Sequence, residues 1–123
     1  MEKFVLVADD DPAMLRLVQT IVEGEGYIAA TAKDGKEAYG ALKSGANIVL
    51  AVVDVRMPYI EGTELVKFMQ GDERFNNIPV IMMTGEKSAK LTGQAISSGA
   101  IAFLPKPFTN NQLRTTIRFL VAG

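Results

Sequence analysis

The chain has 123 residues, 48% of them apolar, and its 13 Lys and Arg against 14 Asp and Glu leave a formal net charge of -1 at pH 7. That length suits one domain, residues 1–123, with a full core, and the near balance of charge gives no global basic field for nucleic acid or for an anionic membrane surface. Cysteine and histidine are both absent, which excludes disulfides, thiolate and imidazole metal sites and histidine general bases, so any metal must be held by oxygen.

The N-terminus, Met1-Glu2-Lys3, has no signal-peptide layout, and no apolar run approaches the ~20 residues that span a bilayer; we expect a soluble cytoplasmic protein. FVLVA (4–8) reads as a strand buried on both faces. Asp11 as N-cap and Pro12 as first helical residue open a helix whose Met14, Leu15, Val18, Ile21 and Val22 recur at helical spacing, with Gly24 and Gly26 ending it. YIAATA (27–32) is a weaker strand, and DGKEAYGALKSG (34–45) a helix with a modest stripe of Ala38, Ala41 and Leu42. IVLAVVD (48–54) is the strongest strand of the chain, followed by a turn-rich loop, RMPYIEG (56–62), and a helix carrying Leu65, Val66, Phe68 and Met69. NIPVIMMTG (77–85) contains another two-sided apolar strand. A polar helix is expected over roughly 87–98, then a short strand AIAFL (100–104), the stiff PKPF, and a last helix with Leu113, Ile117, Leu120 and Val121 on one face.

Five strands, each followed by a helix, predict a parallel sheet, because parallel neighbours require right-handed crossovers that place helices on both faces. The strands that are apolar on both faces belong in the centre, and the weaker 27–31 and 100–104 at the edges. The expected fold is therefore α/β, a doubly wound five-stranded parallel sheet of order 2-1-3-4-5, flavodoxin-like (βα)5, with its crevice outside the carboxyl ends of strands 1 and 3.

Those two strands end in Asp9-Asp10 and in Asp54. At roughly 5 Å and an effective dielectric of about 20, each ionised pair repels by about 3 kcal/mol, a large term for a domain stable by ~5–15 kcal/mol. Helix capping accounts for Asp11, and leaves Asp9 and Asp10 unexplained. A nucleotide-binding loop would carry Gly, Ser or Thr here so that backbone N–H groups could hold phosphate. A bare acidic loop instead attracts a hard divalent cation, and with oxygen ligands alone Mg2+ is the natural occupant. Thr84 at the end of strand 4 and Lys106 after strand 5 add a hydroxyl and an ammonium at the same edge. The set suits a phosphorylated side chain in which Asp54 is the nucleophile, while Mg2+, Lys106 and Thr84 hold the phosphoryl oxygens.

The stretches VLVADDDP, VVDVRMPYIEG, PVIMMTG and FLPKPF, in this order and at this spacing, resemble the receiver domain of two-component response regulators, of the single-domain chemotaxis type, over essentially the whole chain. The resemblance implies Asp9 and Asp10 as the metal-binding acidic pair, Asp54 as phosphoacceptor, Thr84 as the switch hydroxyl and Lys106 as the phosphate-contacting amine. It also implies Phe103 at the aromatic position that swings inward on activation, and the main-chain carbonyl of Arg56 as a metal ligand. Phe103 stands where Tyr is frequent and so lacks its hydroxyl; Glu61 replaces the usual Asp, and Ala8 a larger aliphatic residue.

Arg56 and Glu86, two residues past Asp54 and Thr84, stand at the rim where water would approach an acyl phosphate. They either pair across the site and slow its hydrolysis, or are two solvated side chains of opposite sign contributing only ~0–1 kcal/mol.

The function so implied is a phosphorylation-activated switch that takes its phosphoryl group from a histidine kinase or phosphotransfer protein, since this chain has no His of its own. Its output would be a changed surface around the fourth helix, fifth strand and fifth helix, read by a downstream protein target. We expect no direct nucleic-acid binding, no turnover of external substrates, and either a monomer or a phosphorylation-dependent dimer. Three rivals share the fold or the chemistry. A phosphatase using an aspartyl-phosphate intermediate needs a second acid two places after the nucleophile, where Arg56 stands. A flavin-binding electron carrier is disfavoured by the acidic first loop, and a receiver-like scaffold that is never phosphorylated by the complete acidic, Thr and Lys set. The sequence leaves open whether the chain stands alone or is part of a larger regulator or hybrid kinase.

Overall fold

The computed structural model describes residues 2–85, 93, 99–100 and 102–121. Five strands, β1 (Phe4–Ala8), β2 (Ile28–Ala32), β3 (Ile48–Asp54), β4 (Val80–Thr84) and β5 (Ala102–Pro105), form one sheet in the order β2-β1-β3-β4-β5. Every neighbouring pair is parallel. The described helices are α1 (Pro12–Gly24), α2 (Gly35–Lys43), α3 (Gly62–Gln70) and a C-terminal helix (Asn110–Leu120). Of the helix expected over 87–98, only Gly93, in helical conformation, is among the described residues; the rest lies outside them.

Alternation along the central strands builds two cores, because successive side chains of a strand leave opposite faces. From β1, Val5 and Val7 join Val18, Ile21 and Val22 of α1 and Leu113 and Ile117 of the C-terminal helix. Leu6 and Ala8 point the other way, into a core with Ala38 and Leu42 of α2 and Leu65, Val66 and Met69 of α3. Both faces of the sheet are thus covered, which is why its central strands read as unbroken apolar runs. The edge strands are partly exposed. β5 is described from Ala102 and runs one residue past the expected 100–104, through Pro105, a residue that a sheet tolerates at its edge, where a missing N–H leaves no neighbour unpaired.

The helix starts are fixed by short polar side chains. Asp11 caps α1 by accepting the Ala13 N–H at 3.0 Å, with Pro12 in the first turn. Asp34 caps α2 through the Glu37 N–H at 2.9 Å, and Thr109 and Gln112 form a reciprocal capping box at the C-terminal helix. That helix ends at Leu120, leaving Val121 of the expected stripe as its C-cap. α3 starts differently. Its N-cap Glu61 makes no side-chain capping bond, and Gly62 instead donates its N–H to the Val55 carbonyl at 2.8 Å. A β-carbon at Gly62 would overlap the Asp54 carbonyl oxygen, so this glycine lets the helix start lie directly on the end of β3.

Candidate functional site

The parallel register brings the strand ends together. Ala8 lies opposite Val53, so Asp9 leaves β1 beside Asp54 at the end of β3. Thr84 closes β4 opposite Pro105 of β5, and the Lys106 N–H continues the ladder with a 2.7 Å bond to the Thr84 carbonyl. Asp9, Asp54 and Thr84 are 0%, 8% and 3% exposed, whereas Asp10 is open to solvent.

Each of Asp9, Asp10 and Asp54 offers a carboxylate oxygen within 4.8 Å of the others. The convergence expected from the sequence is therefore present, and Lys106 answers part of it. Its Nζ, on a side chain 18% exposed, donates to Asp9 Oδ2 at 2.8 Å and stands 3.6 Å from Asp54 Oδ1. The other Asp9 oxygen accepts the Asp11 N–H at 2.9 Å. Asp9 thus has two hydrogen-bond donors, as a fully buried carboxylate requires, while the shared ammonium stands farther from Asp54.

This unequal sharing appears in the acidity of Asp54. Burial pushes its carboxyl up from 3.8 to about 6, the Asp9 charge adds to the rise, Lys106 pulls it back in part, and Asp10 adds a smaller push. Burial disfavours the Lys106 cation, but its hydrogen bond to Asp9 and the fields of both carboxylates outweigh that and raise its pKa. The site holds a carboxylate near its threshold of ionisation, with an ammonium within reach.

The donor set fits a hard cation. It consists of oxygen alone, with two carboxylates buried and one open to water, a pattern that suits Mg2+ with several waters retained. A doubly charged ion here would relieve the repulsion that raises the Asp54 pKa.

The remaining expected residues fall as follows. The Arg56 side chain is exposed in the loop after β3. Glu86 lies outside the described residues, so the expected Arg56–Glu86 pairing does too. Phe103 is half-buried on β5, opposite Met82 of β4, and packs against the core shared with α2 and α3.

Sequence reasoning did not single out the two glycines that shape the rim. Besides Gly62, Gly35 at the start of α2 donates to the Pro58 carbonyl at 3.3 Å, and a β-carbon there would overlap the side chain of Ile60. The loop after Asp54 is therefore seated on α2 by a contact that only a glycine allows. The sequence signal was available in DG at 34–35, read there only as a helix start.

Residues 5–118 match the profile of the response regulator receiver domain. The chemotaxis protein CheY1 of Helicobacter pylori is 31% identical over 118 residues, covering 95% of both chains. The chemotaxis protein CheY of Pseudomonas aeruginosa is 32% identical over 114 residues, covering 92% of this chain and 91% of its own. Among solved structures, the chemotaxis protein CheY4 of Vibrio cholerae superposes with a TM-score of 0.89 at 29% identity, covering 98% of this chain and 100% of its own.

Proposed function

The chain belongs to the response regulator receiver domain family, and from that premise we propose that Asp54 is its phosphoacceptor, served by Mg2+, Lys106 and Thr84. A receiver of two-component signalling is a switch thrown by aspartyl phosphorylation, set by histidine kinases and read by downstream targets. What carries the assignment to particular residues is the meeting of three carboxylates and one ammonium at the carboxyl edge of the sheet.

An ionised Asp54 oxygen attacks the phosphorus of a phosphohistidine on the donor protein, or of a small phosphodonor. The bond to the leaving nitrogen or oxygen breaks as the acyl phosphate forms. Asp9 and Asp10, with Asp54 and the Arg56 carbonyl, are the residues that would hold Mg2+, which when bound neutralises charge on the phosphoryl oxygens. Lys106, already 3.6 Å from Asp54, adds a second cation to the transferred group. The Thr84 hydroxyl donates to a phosphoryl oxygen, and the space it leaves beneath β4 admits Phe103 from the adjacent strand. The surface around residues 87–98, β5 and the C-terminal helix then changes, and a protein target reads it as a shift between two packings.

The chain turns over no external substrate in this reading, though it assists the loss of its own phosphoryl group. It works in the cytoplasm as one domain over residues 1–123, alone or pairing on phosphorylation. The test is incorporation of phosphate from acetyl phosphate with Mg2+ or with EDTA, in the parent chain and in Asp10→Asn. Incorporation should need Mg2+ and fall sharply in the variant; equal incorporation in all samples would remove the metal assignment.

A further inference from the structure

The loop that carries the chain from Asp54 to α3 holds one residue in an unfavourable backbone conformation. Tyr59 has φ 71, and the Ile60 N–H bonds the Pro58 carbonyl across it at 2.9 Å. This is a three-residue turn with a positive central φ, a rare and strained form, and a bulky residue is a poor occupant of it. Glycine would sit there without strain. The turn is held from below, where Gly35 donates to the same Pro58 carbonyl and packs on Ile60.

The consequence is an aromatic ring directed into solvent. Tyr59 is 72% exposed, and the Lys36 ammonium of α2 lies 4.4 Å from its ring centre. Lys33 faces Glu37 at 3.8 Å, but Lys36 makes no ion pair with any described carboxylate. Ring and ammonium stand at the carboxyl edge of the sheet, above the face covered by α2 and α3. The exposed acids Asp10 and Asp11 border the same crevice above the face covered by α1. Strain kept at an exposed position near a reacting group is a reason to look for function there.

We propose that Tyr59 and Lys36 form a contact for the phosphohistidine-bearing donor protein, which meets the ring with an apolar or planar side chain and the ammonium with a carboxylate. The inference rests on Asp54 as the acceptor. Asp54 is nearly buried, so a macromolecular donor must seat its histidine over the rim, and this pair is continuous with that rim. A rim with acids on one flank and a cation–aromatic pair on the other also fixes the donor's orientation by charge. A small phosphodonor needs neither flank.

The test compares two phosphodonors on the full chain and on Tyr59→Gly and Lys36→Glu. One donor is acetyl phosphate with Mg2+. The other is the autophosphorylated histidine kinase that labels the parent chain fastest among those of its own organism. Labelling by acetyl phosphate should stay within about twofold and the thermal midpoint of Tyr59→Gly should not fall, since glycine relieves the turn. Transfer from the kinase should drop by about tenfold or more in each variant, as for loss of a central aromatic or charged contact. Kinase transfer within about twofold of the parent in both variants, by the same standard, would overturn the proposal. So would a parallel loss with both donors, or a parent chain that acetyl phosphate labels and no kinase does. Failure of acetyl phosphate to label the parent chain would instead refute Asp54 as acceptor.

Discussion

Replacing Asp54 by Asn should stabilise the protein when metal is chelated, by an amount that depends on pH. The folded chain raises the Asp54 pKa from 3.8 to about 6, first through burial, so the folded state holds that proton more tightly than the unfolded chain does. Above pH 6 the carboxylate is charged in both states, and folding carries the full penalty of burying it. As pH falls from 6 towards 3.8 the folded state takes up the proton first and the penalty shrinks, vanishing once both states are protonated. The difference of about 2.2 units at 1.36 kcal/mol each gives roughly 3 kcal/mol. For a chain of this size that corresponds to about 10 °C in thermal midpoint. The pull of Lys106 on Asp54 is already within this net shift, and Lys106 keeps its shorter bond to Asp9 in the variant. Thermal unfolding of both proteins in EDTA should show Asp54→Asn the more stable at pH 7.5 and the two converging near pH 4. A constant difference across that range, or a less stable variant at pH 7.5, would refute the reasoning.

Other perturbations separate the parts of the site. Mg2+ at about 100 times its dissociation constant should stabilise the parent chain by ~2.7 kcal/mol, and Asp10→Asn much less; equal rises in thermal midpoint would argue for binding elsewhere. Lys106→Met removes the cation from the fully buried Asp9 and should cost about 3 kcal/mol or more at pH 7.5, read as a lower urea midpoint with unchanged slope. Gly62→Ala drives a β-carbon into the Asp54 carbonyl and should cost about 1–3 kcal/mol while slowing phosphate incorporation, both measurable on one preparation.

The sheet order was legible because burial on two faces leaves its mark on composition. FVLVA carries no polar residue and IVLAVVD none until its last position, whereas IAATA is interrupted by Thr31 and AFLP is only four residues long and ends in Pro105, and the structure places them at the centre and the edges accordingly. The acidic cluster was legible for a related reason, since Asp9 and Asp54 each interrupt an apolar run where a parallel strand must end. How the site shares its one described ammonium was not. The sequence suggested mutual repulsion awaiting a metal, but the reach of Lys106 to Asp9 depends on the register of β5 beside β4, which no local pattern encodes. The roles of Gly62 and Gly35 were hidden as well, because close approach of two backbones is a tertiary event, and in the sequence Gly62 reads as the end of a turn-rich loop and Gly35 as part of a helix start.

The central claim is that the phosphoryl group resides on one particular carboxylate. It is tested most directly by incubating the protein with Mg2+ and acetyl phosphate, trapping the acyl phosphate by borohydride reduction, and locating the modified residue by peptide mass spectrometry. The account predicts a single modified position, Asp54, absent from Asp54→Asn. Modification at Asp9 or Asp10, or a phosphorylated Thr84 with Asp54 untouched, would contradict it.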